Sequence, residues 1–310
     1  MTLNVGVIGT GVMGEHHARI YDQSNKTKLI GVADTDKKLA NQTAKKYHTK
    51  AYTDHKKLLE QNLDAVSIAV PTKIHREIAL DAIEAGVHVL LEKPIADTLK
   101  HADEIIKKTE EKNIKLLIGH IERFNPAIAA FKKKQDKLGK IVSISARRVG
   151  PNNPRIRDVG VITDLGVHDI DVMSYIYGEK VLNVHANAGA ILHKFEDHAA
   201  ILLGFSNGNA GTIETNWLTP HKVRKLTITG THGIAYVDYI KQKVKFFTDQ
   251  GFDLIKLEKR EPLRIEINHF IDCIQNNKKP LVGGAEGRHA LNVALAAVES
   301  YHKNKLIPII

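Results

Sequence analysis

The segment VGVIGTGVMGEHHARI, residues 5–20, limits the possible folds of this chain more than any other stretch. A short apolar run leads into Gly9-x-Gly11-x-x-Gly14, and Glu15 to Tyr21 then reads as helix. Strand, tight turn and helix in that order are what give such a glycine pattern a dinucleotide-binding meaning. Gly9 is expected to make the turn. Gly11 removes a side chain where a pyrophosphate approaches, and Gly14 lets helix and strand pack closely. The helix start adds amide donors and the positive end of its dipole. Thr10, Val12 and Met13 share this loop, so the expected cofactor-binding run is Gly9, Thr10, Gly11, Val12, Met13 and Gly14.

The pattern continues for about 120 residues. Apolar runs at 3–8, 28–33, 64–70, 87–91 and 115–119 alternate with helical patterns at 14–23, 36–47, 54–61, 74–85 and 99–112. This alternation predicts an α/β domain with a doubly wound parallel sheet, its ligand crevice at the carboxyl ends of the strands. Asp34 closes "LIGVAD", 20 residues beyond Gly14. An acidic group there accepts ribose hydroxyls and repels a 2′-phosphate, so NAD is expected and NADP is disfavoured. Thr35 follows it, not an arginine; the plain alternative makes Asp34 an N-cap. "VPTKIH" places Pro71, Thr72 and His75 after one strand, and "EKP" places Glu92 and Lys93 after the next. A turn, a helix start and a surface lysine are the plain readings of these positions.

Beyond residue 140 the runs are β-rich, with turn signals at Ser206-Asn207-Gly208-Asn209 and Thr231-His232-Gly233. One broad antiparallel sheet is expected. Its outer face would need cover, which predicts a homodimer or homotetramer built through that sheet. "TDLGVHDIDVMSYIYG" reads as a helix with Asp164, His168 and Asp171 at spacings of four and three, on one face. Histidine suits proton transfer near neutral pH. Three helical residues without a distant fourth ligand make a poor zinc site, so no metal is expected. A capped amphipathic helix with His168 as an ordinary polar residue is the alternative. Arg147 and Arg148 alternate in a strand, so at most one faces a site.

Composition narrows the partners. A chain of 310 residues suggests two domains. Its one cysteine, Cys273, forms no internal disulfide, and with no signal-peptide pattern at residues 1–30 a cytoplasmic location is expected. No stretch has the roughly 20 apolar residues of a membrane helix. The net charge of +10 is scattered over helices without interleaved aromatic residues. Nucleic acid is therefore not an expected partner, whereas an acidic small molecule is compatible.

Gly9–Gly14, Asp34, Pro71-Thr72 with His75, Glu92-Lys93-Pro94, "GHIERFNPA" (119–127) and "DLGVHDID" (164–171) together resemble the Gfo/Idh/MocA family across nearly the whole chain. The resemblance implies an NAD-binding Rossmann domain at 1–122. It also implies an α+β domain at 123–310 with a large open, mostly antiparallel sheet for substrate binding and oligomerisation. Lys93, Asp164 and His168 become the catalytic set by that likeness, with Lys93 touching both cofactor and substrate. "RRVGP…PRIRDVG" resembles the branch that oxidises the 3-hydroxyl of UDP-N-acetylated hexosamines, where a diphosphate would give Arg155 and Arg157 a partner. Val159-Gly160 stands where many members have paired glycines. The alternatives are an inositol, polyol or free-aldose dehydrogenase and, from another class, a non-catalytic NAD-binding sensor.

Overall fold

Val5, Val7, Val66, Ile68, Leu90 and Leu91 are wholly buried, as strands covered on both faces must be. In the computed structural model, which describes residues 2–152, 159–249 and 251–309, they lie in the first of two units. That unit is Met1–His120 with Leu263–Arg288, and the second is Ile121–Pro262 with His289–Ile310.

The first unit runs β1 (Leu3–Ile8), α1 (Val12–Asp22), β2 (Thr27–Ala33), α2 (Lys37–Lys46), β3 (Lys50–Tyr52) and α3 (His55–Leu59). It continues with β4 (Ala65–Ile68), α4 (His75–Glu84), β5 (His88–Glu92), α5 (Leu99–Glu111) and β6 (Leu116–Gly119). The strands form one six-stranded parallel sheet in the order β3-β2-β1-β4-β5-β6. The order reverses beside β1, which opens a crevice at the strand ends there. Edge strand β3 is too short for periodicity to reveal it. Side-chain caps start α2 (Asp36), α3 (Asp54) and α5 (Thr98). The cap of α2 is thus Asp36, which leaves Asp34 outside that role.

The second unit begins with α6 (Pro126–Lys134), β7 (Ile141–Pro151), α7 (Val167–Tyr177), β8 (Asn183–Gly189), β9 (His198–Gly204) and β10 (Ala210–Asn216). Then come β11 (Leu218–Gly230), β12 (Gly233–Asp238), β13 (Lys243–Thr248) and β14 (Gly251–Ile255). The nine-stranded sheet has the order β14-β13-β12-β11-β7-β10-β9-β8-β15, where β15 is Ile307–Pro308. Only β7 and β10 pair in parallel, so the sheet is mixed and mostly antiparallel. The apolar sides of α6 and α7 cover one face, with Phe131, Ile170 and Met173 in the core.

Two late helices, α8 (Pro262–Gln275) and α9 (Gly284–Lys303), carry the chain between the units. Leu263, Ile267, Phe270 and Ile271 give α8 a buried apolar side. The Val282 carbonyl accepts from the Ile118 amide at 3.0 Å, and Arg288 pairs with Asp103. These contacts belong to the first unit, whereas from His289 onward α9 belongs to the second. Among the described residues, no helix is long and apolar enough to cross a membrane.

Candidate active site

At the end of β1, the chain is shaped by side chains it cannot carry. Gly9 has φ +87°, and a Cβ there would lie 2.5 Å from the Ala69 carbonyl oxygen. A Cβ on Gly14 would lie 1.7 Å from the Gly9 oxygen, while one on Gly11 would meet nothing within 4 Å. Gly11 precedes α1 without a side-chain cap, so first-turn amides of that helix are left for a ligand or water. Asp34 latches the loop. Its Oδ2 accepts from the Thr10 amide at 2.7 Å and the Thr10 hydroxyl at 3.0 Å, and its Oδ1 from the Asp36 amide at 2.9 Å. A cavity of about 210 Å³ is lined by Gly9, Gly11, Asp34, Thr35, Val70 and Pro71, among others. Val12 and Met13 are exposed on the first turn of α1. The uncapped helix start, the open space at Gly11 and the cavity beside Asp34 together fit a dinucleotide.

His75, an expected cofactor contact, lies between two turns of the crevice and is tied to both. Its ring is 1% exposed, with Nδ1 2.9 Å from the Pro94 oxygen and Nε2 2.9 Å from the Val70 oxygen. Both nitrogens are therefore committed to tying the "VPT" and "EKP" turns together, and the ring offers a ligand almost no surface. Burial pushes its pKa down, despite the two carbonyls that favour the cation.

Glu92 is also buried. Its Oε1 is 3.1 Å from His17 Nε2, His17 Nδ1 is 2.9 Å from Ser67 Oγ, and the Tyr21 hydroxyl is 2.8 Å from the same Oγ. Burial raises the Glu92 pKa, but the His17 hydrogen bond and the nearby Lys93 charge outweigh it and hold the carboxyl below its usual range. Glu92 thus anchors the end of β5, and half-buried Lys93 follows directly. Thr72 opens a single 3₁₀ turn ahead of α4.

In the second unit, a π-helical turn (Ile162–Gly166) precedes α7, and Asp164 lies in it. The wider turn alters the phase expected from an unbroken α-helix. Asp164 and His168 are partly exposed, but Asp171 is 2% exposed and faces inward. Asp171 accepts from Arg123 Nη2 at 2.7 Å and Nε at 2.8 Å, so of the three residues expected on one face Asp171 is engaged in a buried ion pair. Arg148 is fixed in the same way. Its Nε and Nη2 reach Asp169 at 2.6 and 3.0 Å, its Nη1 reaches Glu122 at 2.9 Å, and Tyr239 lies against it. Arg147, one residue earlier, is exposed and pairs with Glu214. Strand alternation therefore sent one arginine inward, as expected, but into an ion network.

Glu196 holds the start of the π turn. A Cβ on Gly160 would lie 2.0 Å from the Glu196 carboxyl carbon. The Val161 amide donates to the Glu196 carbonyl at 2.8 Å, and the Ile162 amide to its Oε1 at 3.3 Å. Burial raises the Glu196 pKa. Arg155 and Arg157 lie outside the described residues. Sequence reasoning missed Glu122, Arg123, Asp169, Glu196 and Arg224 as members of this network; "GHIERFNPA" marked the first two without showing their partners.

A parallel sheet in this strand order, with a glycine-shaped loop and an acidic latch at the crevice, defines a dinucleotide-binding oxidoreductase unit. The profile "Oxidoreductase family, NAD-binding Rossmann fold" matches residues 3–120, and "GFO/IDH/MocA C-terminal domain" matches residues 133–236. The chain belongs to the GFO/IDH/MocA oxidoreductase family. It is 31% identical over 312 residues to the UDP-N-acetylglucosamine 3-dehydrogenase of Acidithiobacillus ferrooxidans, covering 96% of this chain and 98% of that one. A solved structure of the Acidithiobacillus ferrooxidans enzyme superposes with a TM-score of 0.92 at 30% identity, over 98% of this chain and 99% of the other. The scyllo-inositol 2-dehydrogenase (NAD(+)) of Bacillus subtilis is 27% identical, over 95% of this chain and 93% of its own.

Proposed function

We propose that this protein oxidises a secondary hydroxyl of a sugar or polyol with NAD, and that its substrate is a UDP-N-acetylhexosamine oxidised at the 3-hydroxyl. One observation carries the reading. In the stretch 164–171, Asp169 and Asp171 pair with buried arginines, and Asp164 in the π turn and His168 at the start of α7 are both partly exposed. The similarity to a UDP-N-acetylglucosamine 3-dehydrogenase along nearly the whole chain supports the substrate.

The roles follow from the chemistry of each group. Bound NAD, held by the Gly9–Gly14 loop and Asp34, would supply the acceptor for a hydride from the carbinol carbon. His168 takes the hydroxyl proton, for which an imidazole near neutral pH is suited. Asp164 orients the imidazole or holds a neighbouring hydroxyl. Lys93 stabilises the developing charge on oxygen and seats the cofactor. Asp34 selects NAD over NADP: each carboxylate oxygen accepts more than one hydrogen bond, so the loop contacts leave capacity for ribose hydroxyls. Arg155 and Arg157 are assigned to the diphosphate.

Absorbance of NADH tests this directly. The protein is mixed with NAD and UDP-N-acetylglucosamine, myo-inositol or free glucose, with a ketone trap. Signal confined to UDP-sugars supports the proposal. Signal confined to uncharged substrates replaces it with the polyol reading, which the Bacillus subtilis relative favours. Silence throughout leaves an NAD-binding sensor.

We also propose a homo-oligomer. Leu202, Tyr236, Phe247 and Leu254 are exposed at alternate strand positions, on the sheet face opposite the buried core residues. A second copy is the expected cover. A cytoplasmic location is proposed from the single cysteine.

A further inference from the structure

Arg123, Arg148 and Arg224 are the buried or half-buried arginines of the second unit that bear on the catalytic turn, and their partners differ. Arg123 and Arg148 each hold a buried aspartate through two nitrogens. Arg224 sits opposite Arg148 in the β11–β7 ladder, and its Nη1 donates to backbone carbonyls, Val149 at 2.5 Å and Val223 at 2.9 Å. Among the described residues, no carboxylate lies within 4.0 Å of its guanidinium. A half-buried charge without a close counterion is costly, and an anion arriving from outside would relieve that cost.

The surroundings suit such an anion. A Cβ on Gly150 would lie 3.2 Å from Lys222 Cγ and 3.8 Å from Arg224 Nη1, so the missing side chain lets two cationic residues approach the same stretch of backbone. Lys222 is exposed. Burial and the neighbouring Arg148 lower the Arg224 pKa to about 10, partly offset by the charges of Asp169, Glu122 and Asp164. Asp169 and Glu122 are engaged by Arg148. Arg148, the ladder neighbour of Arg224, holds Asp169, the residue that follows His168, so Arg224 lies one strand position from the ion pair beneath that helix.

We infer that Arg224, with its Nη1 held by the Val149 and Val223 carbonyls near Gly150, binds an anionic group of the substrate close to the Arg148–Asp169 pair. The group is a phosphate of a nucleotide-sugar or a carboxylate of a sugar acid, both of which match a planar two-nitrogen donor. The inference rests on the reading of this protein as a sugar dehydrogenase and identifies a charge its substrate carries. Arg224 would contact the substrate and determine specificity, while the hydride and proton transfers remain with the groups already named.

The test compares wild type, Arg224→Gln and Arg224→Lys, all loaded with NAD. Binding of UDP and of glucuronate is measured by calorimetry, and turnover of UDP-N-acetylglucosamine and myo-inositol by NADH absorbance. Arg224→Gln should weaken one of the two anions about 10- to 100-fold. Arg224→Lys should recover part of that loss, NAD affinity should stay within a few-fold of wild type, and any myo-inositol turnover should fall less than binding of that anion. Loss confined to UDP assigns the phosphate; loss confined to glucuronate assigns the carboxylate. Three results overturn the inference: a wild type that binds neither anion, anion binding unaltered in Arg224→Gln, or a parallel fall with myo-inositol, which would make Arg224 a holder of the Asp164 charge. UDP binding that depends on Arg224, without NADH formation from any UDP-sugar, would keep this site and reject the proposed reaction.

Discussion

The loop at Gly9–Gly14 owes its shape to atoms that are absent, whereas the turn carrying Asp164 is held by charges that are present. In the first unit, a Cβ at Gly9 or Gly14 would collide with backbone within the same small region of the crevice. In the second, Arg148 reaches 21 residues to Asp169 and 26 to Glu122, and Arg123 reaches 48 to Asp171. A backbone-built site tolerates change in its surroundings but not in its glycines. A site positioned by buried ion pairs depends on every member, because removing one leaves its partner charged and unpaired.

The largest effect tests whether the two units contribute to one reaction. Lys93→Met and His168→Ala should each lower kcat about 10²- to 10⁴-fold, as loss of a catalytic acid–base or charge-stabilising group does. NAD affinity, followed by quenching of protein fluorescence, should remain within a few-fold of wild type in His168→Ala. Most activity surviving in either variant would break the assignment.

Next comes Arg148→Met, which leaves buried Asp169 without its main partner. Denaturant unfolding should show a loss of about 3–5 kcal/mol. Substrate turnover should fall with it, since Asp169 lies on the helix that carries His168. A loss under 1 kcal/mol would show that the ion network is not what holds this turn.

Gly14→Ala should cost about 1–3 kcal/mol through overpacking, because its Cβ would meet a carbonyl that cannot swing away. NAD binding should weaken more than that cost in stability alone would suggest, since α1 must shift and carries the amides aimed at the phosphates. Unchanged NAD affinity would count against the loop as the pyrophosphate site.

The smallest effect is a pH slope. Burial lowers the pKa of His75, His88 and His269, all in the first unit. A histidine kept neutral by folding takes up its proton more readily when unfolded. Its contribution is therefore complete above the unfolded pKa of about 6.5 and is lost as pH falls toward the lower folded value. For His75 the loss is at most about 1.4 kcal/mol per pH unit. Thermal melts between pH 7.5 and 5 should show falling stability, with a shallower fall in His75→Gln. Identical slopes would remove His75 from the account.

Much of the first unit was legible because its signals are local. Strand periodicity, the glycine spacing and the acidic residue after β2 all lie within about forty residues, and each has one geometric meaning. The carbonyl partner of the His75 ring was not legible, because the Pro94 carbonyl it meets is nineteen residues away. In the second unit, the spacing of Asp164 and His168 assumed an α-helical period, whereas Asp164 lies in a π turn and only His168 and Asp171 lie in the α-helix that follows. No sequence pattern marks a single inserted π turn, since its widened hydrogen bonds are stabilised by packing against Glu196 and the sheet.

By itself, the sequence determined the fold class, the dinucleotide loop and the family, because these rest on periodicity and on glycines whose roles follow from backbone sterics. Only the tertiary structure decided how the charges are shared: which aspartates near His168 pair with arginines, that Glu196 holds the turn, and that among the described residues no carboxylate lies within 4.0 Å of Arg224. Ion pairing depends on which side chains meet in three dimensions, at ranges that no local pattern encodes.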